Sequence, residues 1–273
     1  MMKNMLDNVR KAKPLVHNIT NYVTVNDCAN ALLACGASPI MSDDIDEVEE
    51  ITSLCSALNI NIGTLNKRTI PSMLLAGQTS NKLGHPIVLD PVGAGASGLR
   101  TKTAKELINH INFTVIRGNV SEIKTLAFGN GRTKGVDADI SDVVTKDNLN
   151  EAISFAKNFS NETGAIIAVT GEIDIIANSE TAYCIFNGNP MMSSITGTGC
   201  QLSAIIAAFV SSNPEHVFES AVAAVCTMGV CGEVAHKRLT GADGNASYGN
   251  YIIDAMYRIT GTSLETLAKY EIF

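Results

Sequence analysis

The chain has 273 residues, 45% hydrophobic and 17% charged, with a formal charge of −7 at pH 7. This composition can bury a large core and rules out a disordered chain. The acidic balance, without any Lys/Arg cluster, argues against a nucleic-acid footprint.

In chain order, Pro14–Ile19 reads as a short strand ending in the polar turn Asn18-Ile19-Thr20-Asn21. A helix from about Thr24 to Cys35 follows, and Gly36 stops it. Ala37–Met41 is strand-like, and Ser42-Asp43-Asp44 reads as the cap of an acidic helix through Ala57. Asn59–Gly63 is the next strand, followed by a helix through about Leu83. Pro86–Asp90 and Phe113–Arg117 are strands, the first apolar until its terminal acid. Gly129–Gly135 is a flexible loop that either closes over a site or is simply exposed. A helix near Asn148–Phe159 leads to Gly164–Gly171, the strongest strand signal in the chain. Asp174–Ala177 and Ala182–Phe186 read as an antiparallel edge. Helices then cover 200–211, 215–238 and 245–260. Apolar strands alternating with helix-length segments predict an α/β fold, a mostly parallel sheet covered on both faces. No linker or repeat divides residues 1–273, which read as one domain.

Seven scattered cysteines without a CxxC pair lack the ligand spacing of a structural zinc site and the density of a secreted disulfide framework. Met1 to Thr20 carries charges throughout, unlike a signal peptide, and no run approaches the ~20 apolar residues of a membrane span. The expectation is a cytoplasmic protein with reduced thiols and no membrane partner.

The most informative stretch is Ser194-Ile195-Thr196-Gly197-Thr198-Gly199-Cys200, ahead of the Ala-rich run Gln201–Val210. Two glycines at a turn allow close backbone approach to a ligand. The N–H groups opening a buried helix carry partial positive charge and suit phosphate or another anion. Cys200, placed at that helix start, is expected to favour its thiolate; the plainer alternative is a small core cysteine.

Other polar residues fall at predicted carboxyl ends of strands, where open α/β sheets bind ligands: Asn18, Asn21, Asp90, Arg117, Asn119, Glu122 and Thr170. Arg117 suits a polyphosphate. Asn119 and Glu122 suit either a hydrated Mg²⁺ or a capping box. A GxGxxG at Gly93, Gly95 and Gly98 follows about the fourth strand, and the next strand ends in Arg117-Gly118-Asn119 rather than an acid. Both facts argue against a dinucleotide turn. A Cys200–His pair for thiol hydrolysis has no partner at motif spacing.

Thr196-Gly197-Thr198-Gly199-Cys200 resembles the anion-hole motif of ribokinase-like small-molecule kinases, and Asn119-x-x-Glu122 their metal-linked Asn-x-x-Glu. A more specific resemblance, to the hydroxyethylthiazole kinase family, rests on ordered segments. These are His17-Asn18-Ile19-Thr20-Asn21-Tyr22-Val23, Ser38–Met41, Asn61–Thr64, Leu89–Ala94, Arg117-Gly118-Asn119 and the Thr-Gly-Thr-Gly-Cys turn.

The resemblance implies a ribokinase-like three-layer αβα sandwich. It implies phosphorylation of the hydroxyl of 4-methyl-5-(2-hydroxyethyl)thiazole by ATP with Mg²⁺. Gly197 and Gly199 would form the anion hole, and Arg117, Asn119, Thr170 and Thr198 would bind the nucleotide. Asp90 and Glu122 would organise the metal. Asn21, Val23, Met41, Gly63 and Gly197 would line the alcohol pocket, shared between subunits of a homotrimer. Cys200 stands where most ribokinase-like enzymes place an aspartate base, which implies a slow kinase. A vitamin kinase or an NAD(P)H-hydrate dehydratase would share the anion hole but usually carries Asp there.

Overall fold

The computed structural model describes residues 2–128 and 143–273; the Gly129–Gly135 loop lies outside them. Its centre is a nine-stranded sheet in the order β2-β1-β3-β4-β5-β6-β7-β8-β9. The strands are β1 (Leu15–Ile19), β2 (Ser38–Met41), β3 (Ala57–Asn61), β4 (Ile87–Asp90), β5 (Val115–Gly118), β6 (Ile166–Val169), β7 (Asp174–Ala177), β8 (Ala182–Ile185) and β9 (Tyr270–Ile272). Strands β2 to β6 pair in parallel, and β7 to β9 extend the sheet antiparallel. The expected αβα sandwich is present.

The helices are α1 (Met2–Ala12), α2 (Val25–Cys35), α3 (Val48–Leu54), α4 (Thr69–Leu83), α5 (Gly98–His110), α6 (Val120–Phe128), α7 (Leu149–Thr163), α8 (Thr198–Ser212), α9 (Val217–Arg238), α10 (Asn245–Arg258) and α11 (Gly261–Leu267). Two apolar cores sandwich the sheet. One gathers α1, α2, α8, α9 and α10; the other gathers α4 to α7. Burying both sheet faces explains why the strands read apolar along their length.

Several boundaries differ from the sequence reading. The acidic helix is only α3, ended by Cys55 in extended backbone, and β3 starts at Ala57, which pairs with Val16 of β1. Helix α1 was not anticipated, although Met2, Met5, Leu6 and Val9 recur at helical spacing and are all buried. Nor were α11 and β9. The stretch Pro214–Arg238 is long and apolar enough to cross a membrane, contrary to the reading above. It is instead a core helix, 72% of its apolar window being buried. All seven cysteines are unpaired and buried.

Candidate active site

Parallel pairing brings the carboxyl ends of the strands to one edge, and the chemistry collects there. Asn61 is in register with Asp90, and Asn18 with Met41. Helix α8 points its N-terminus at this edge. Gly197 caps it in the left-handed region (φ +92°) without a side-chain cap, so the first N–H groups of α8 keep their donors free of intrahelical partners. A β-carbon on Gly197 would stand 2.5 Å from Thr24 Cγ2; the turn is packed as well as bent, and only glycine fits.

Because α8 begins at Thr198, Cys200 sits inside the first turn and faces inward. Its sulfur accepts N–H bonds from Asn21 and Asn61, each at 3.2 Å. The expected thiolate preference is corrected here. Burial, and then the Asp90 charge, push the thiol above its ordinary range, against the donors around it. Asp90 is fully buried at the end of β4. Its Oδ2 accepts from Asn61 Nδ2 (2.9 Å) and Ser203 Oγ (2.8 Å). Its Oδ1 has no hydrogen-bond partner and pairs with Arg117 Nη1 at 3.5 Å. Burial raises its carboxyl pKa; Arg117 opposes that.

Arg117, at the end of β5, also donates to Thr170 Oγ1 at 2.6 Å. These two residues, with Asp174, Asn187, Thr198 and Gly199, line a cavity of about 650 Å³. Thr198 and Gly199 face this cavity, while the next residue, Cys200, faces the amides. The turn thus has the Arg117 cavity on one side and the buried thiol with its two amides on the other.

Glu122 and Asn119 form a reciprocal cap at the start of α6. Glu122 Oε2 accepts from Asn119 N (2.9 Å) and Asn119 Oδ1 from Glu122 N (2.8 Å). Glu122 Oε1 accepts from Gly93 N at 2.8 Å, so the acid also ties the β4–α5 loop to α6. This gives Gly93 a role unrelated to a dinucleotide turn. Among the described residues, no three His, Cys, Asp or Glu side chains gather as a metal site. A hydrated Mg²⁺ fits the donor set nonetheless. The orphaned Oδ1 of Asp90 and the remaining lone pairs of Glu122 are hard oxygen donors, and Mg²⁺ in such sites takes one or two carboxylates with phosphate and water.

A family model described as the hydroxyethylthiazole kinase family matches residues 6–262. The chain belongs to the hydroxyethylthiazole kinase family. It is 62% identical over 273 residues to a hydroxyethylthiazole kinase of Clostridium acetobutylicum, covering 100% of both chains. It is 49% identical over 255 residues to one from Ruminiclostridium cellulolyticum, covering 93% of this chain and 91% of the relative. The solved structure of a hydroxyethylthiazole kinase protein from Pyrococcus horikoshii superposes with a TM-score of 0.88 at 35% identity, over 100% of this chain and 98% of that one.

In this member of the hydroxyethylthiazole kinase family, Asn21, Gly63, Asp90, Arg117, Thr170, Gly197, Gly199 and Cys200 belong to one connected network. A β-carbon on Gly63 would stand 3.0 Å from Asn21 Cβ. Met41 is partly buried at the end of β2, and Val23 is 59% exposed on the turn before α2. Sequence reasoning missed Asn61, Ser203 and Arg100. Arg100 clamps the carbonyls of Gly63 (2.6 Å) and Val92 (2.9 Å). The polar Asn61 between Ile60 and Ile62, and Ser203 one helical turn after Cys200, were the available signals.

Proposed function

We propose that the chain transfers the γ-phosphoryl group of ATP to the hydroxyl of 4-methyl-5-(2-hydroxyethyl)thiazole, acting as one domain over residues 1–273. The observation that carries this reading is the position of the Thr198–Gly199–Cys200 turn, with the Arg117 cavity on one side and the thiol with its two amides on the other. Such a partition suits a donor phosphate and an acceptor alcohol meeting at a helix N-terminus.

The residues then have distinct tasks. The opening N–H groups of α8, freed by Gly197 and Gly199, stabilise negative charge on the transferring group. Arg117, Asn119, Thr170 and Thr198 hold and orient the nucleotide. Asn21, Val23, Met41, Gly63 and Gly197 shape the alcohol pocket, and Cys200 accepts the hydroxyl proton. Asp90 and Glu122 would hold Mg²⁺, which supplies charge neutralisation to the phosphates. With its thiol pKa raised, Cys200 is mostly protonated at neutral pH, so turnover is slow.

Exposed Val23 and Tyr22, 59% and 78% accessible, support a homotrimer with the alcohol bound between subunits. Seven buried, unpaired cysteines support a reducing cytoplasmic setting.

The test is ADP release from MgATP with and without the thiazole alcohol, with detection of the thiazole monophosphate. Alcohol-dependent ADP matched by monophosphate is expected. ADP with pyridoxal analogues only, or no turnover with any small alcohol, would overturn the assignment.

A further inference from the structure

Two side-chain amides converge on the Cys200 sulfur, and neither has a free position. A carboxamide offers two N–H donors and two acceptor sites. Asn61 Oδ1 accepts from Gly63 N at 2.9 Å and from Asn21 Nδ2 at 3.1 Å. Its Nδ2 serves Cys200 Sγ at 3.2 Å and Asp90 Oδ2 at 2.9 Å. Asn21 Oδ1 accepts from the Thr24 amide and the Thr24 hydroxyl, both at 3.1 Å, while its Nδ2 serves Asn61 Oδ1 and Cys200 Sγ. The backbone N–H groups of Gly63 and Thr24 only donate, so each amide oxygen must face them and each nitrogen must face the sulfur. The orientation of both amides is therefore fixed by the network. Asn61 is 1% exposed, and a fully satisfied buried network of this kind is rigid.

We propose that Asn61 is a positioning residue for phosphoryl transfer: it holds the Cys200 sulfur as an acceptor of N–H bonds, facing the alcohol pocket. This rests on the reading of Cys200 as proton acceptor. In the step served, the alcohol oxygen bonds to the γ-phosphorus and the bond from that phosphorus to the bridging oxygen of ADP breaks. The hydroxyl proton passes to the Cys200 thiolate and later to water. The sulfur must be aimed at the hydroxyl when that proton leaves. Asn61 aims it without touching the substrate.

The experiment is a double-mutant cycle on the full-length protein. Asn61→Ala is expected to lower kcat about 10- to 100-fold, a loss within the range of general-base contributions, with KM for ATP and for the alcohol changed less than about threefold. In a Cys200→Ala background the same substitution is expected to cost less than about twofold, since the group it positions is gone. An equal loss in both backgrounds would show a structural role and overturn the proposal, as would raised KM values with kcat intact. If Cys200→Ala alone turns over like the parent, the base reading fails, and with it the role given to Asn61. Should Asn61→Ala not fold by circular dichroism, Asn61→Ser, too short to reach the sulfur, is read in the same cycle.

Discussion

Gly199 lies so close to the Arg117 guanidinium that a β-carbon would stand 2.5 Å from Nη1 and 2.6 Å from Nη2. The glycine is required by a neighbour rather than by its own backbone angles. Gly199→Ala is expected to push Arg117 out of the cavity and away from Asp90. Turnover should fall about 100-fold, on the scale of losing one preorganised donor, and the melting temperature should fall as well, because buried Asp90 loses its countercharge. Gly98→Ala, whose β-carbon would meet nothing within 4 Å, is the matched control and should leave kcat unchanged. Steady-state kinetics on both variants decides it.

Replacing the thiol separates geometry from basicity. Cys200→Ala should lower kcat, whereas Cys200→Asp should keep or raise it, because a carboxylate is already deprotonated at neutral pH. A Cys200→Asp protein that folds and is dead would remove Cys200 from the role of base.

The same reasoning gives a pH profile. Burial and Asp90 raise the Cys200 thiol above its ordinary range, so the thiolate fraction grows with pH throughout the neutral and mildly alkaline window. Turnover should climb with pH there, approaching tenfold per unit, and Cys200→Asp should flatten that limb. A flat profile in the parent enzyme would contradict proton transfer to sulfur.

Asp174 provides a stability test. Burial raises its carboxyl to about 6 from 3.8, although Gly171 N donates to it at 2.9 Å. The folded chain thus holds this proton more tightly than the unfolded chain. The stabilisation is complete below about pH 4 and is lost as pH rises through 6. Asp174→Asn keeps an oxygen for Gly171 and removes the charge. It should stabilise the protein by about 1–2 kcal/mol at pH 7, less than the full shift implies because the side chain borders the cavity. At pH 4 it should have no effect. Thermal melts at the two pH values would show it.

Val23 tests the assembly. On the proposed homotrimer, with Val23 at the shared pocket, Val23→Lys should shift sedimentation to smaller species than the parent protein and raise KM for the alcohol. A monomeric parent protein would overturn the shared pocket.

Much of this was legible in the sequence, for identifiable reasons. Apolar strands such as Ile87–Asp90 and Ile166–Val169 announced a sheet buried on both faces, and a parallel sheet collects its strand ends at one edge. Gly36 and Gly197 marked helix boundaries because both adopt positive φ. What stayed hidden depended on contacts between distant segments. Asn61 read as an ordinary mid-strand residue until its four side-chain hydrogen bonds were visible. The thiol of Cys200 looked activated by the α8 N-terminus, yet desolvation and a carboxylate 110 positions earlier in the sequence outweigh it. Glu122 alone suited a capping box better than a metal; the box is formed, and the metal role remains a proposal. Helix α1 escaped notice because the charged residues of its outer face made Met1 to Thr20 read as polar, although its apolar stripe is unbroken.

The donors to the Cys200 sulfur come from residues 179 and 139 positions upstream, and Ser203 reaches back 113 positions to Asp90. During synthesis the first strands are made long before α8 exists, so an incomplete chain carries the acid and the amides without their thiol. Closing such long loops is slow and comes late in folding. Recovery of phosphoryl transfer on refolding should therefore lag behind recovery of helical circular dichroism, making activity a sensor of finished assembly rather than of secondary structure.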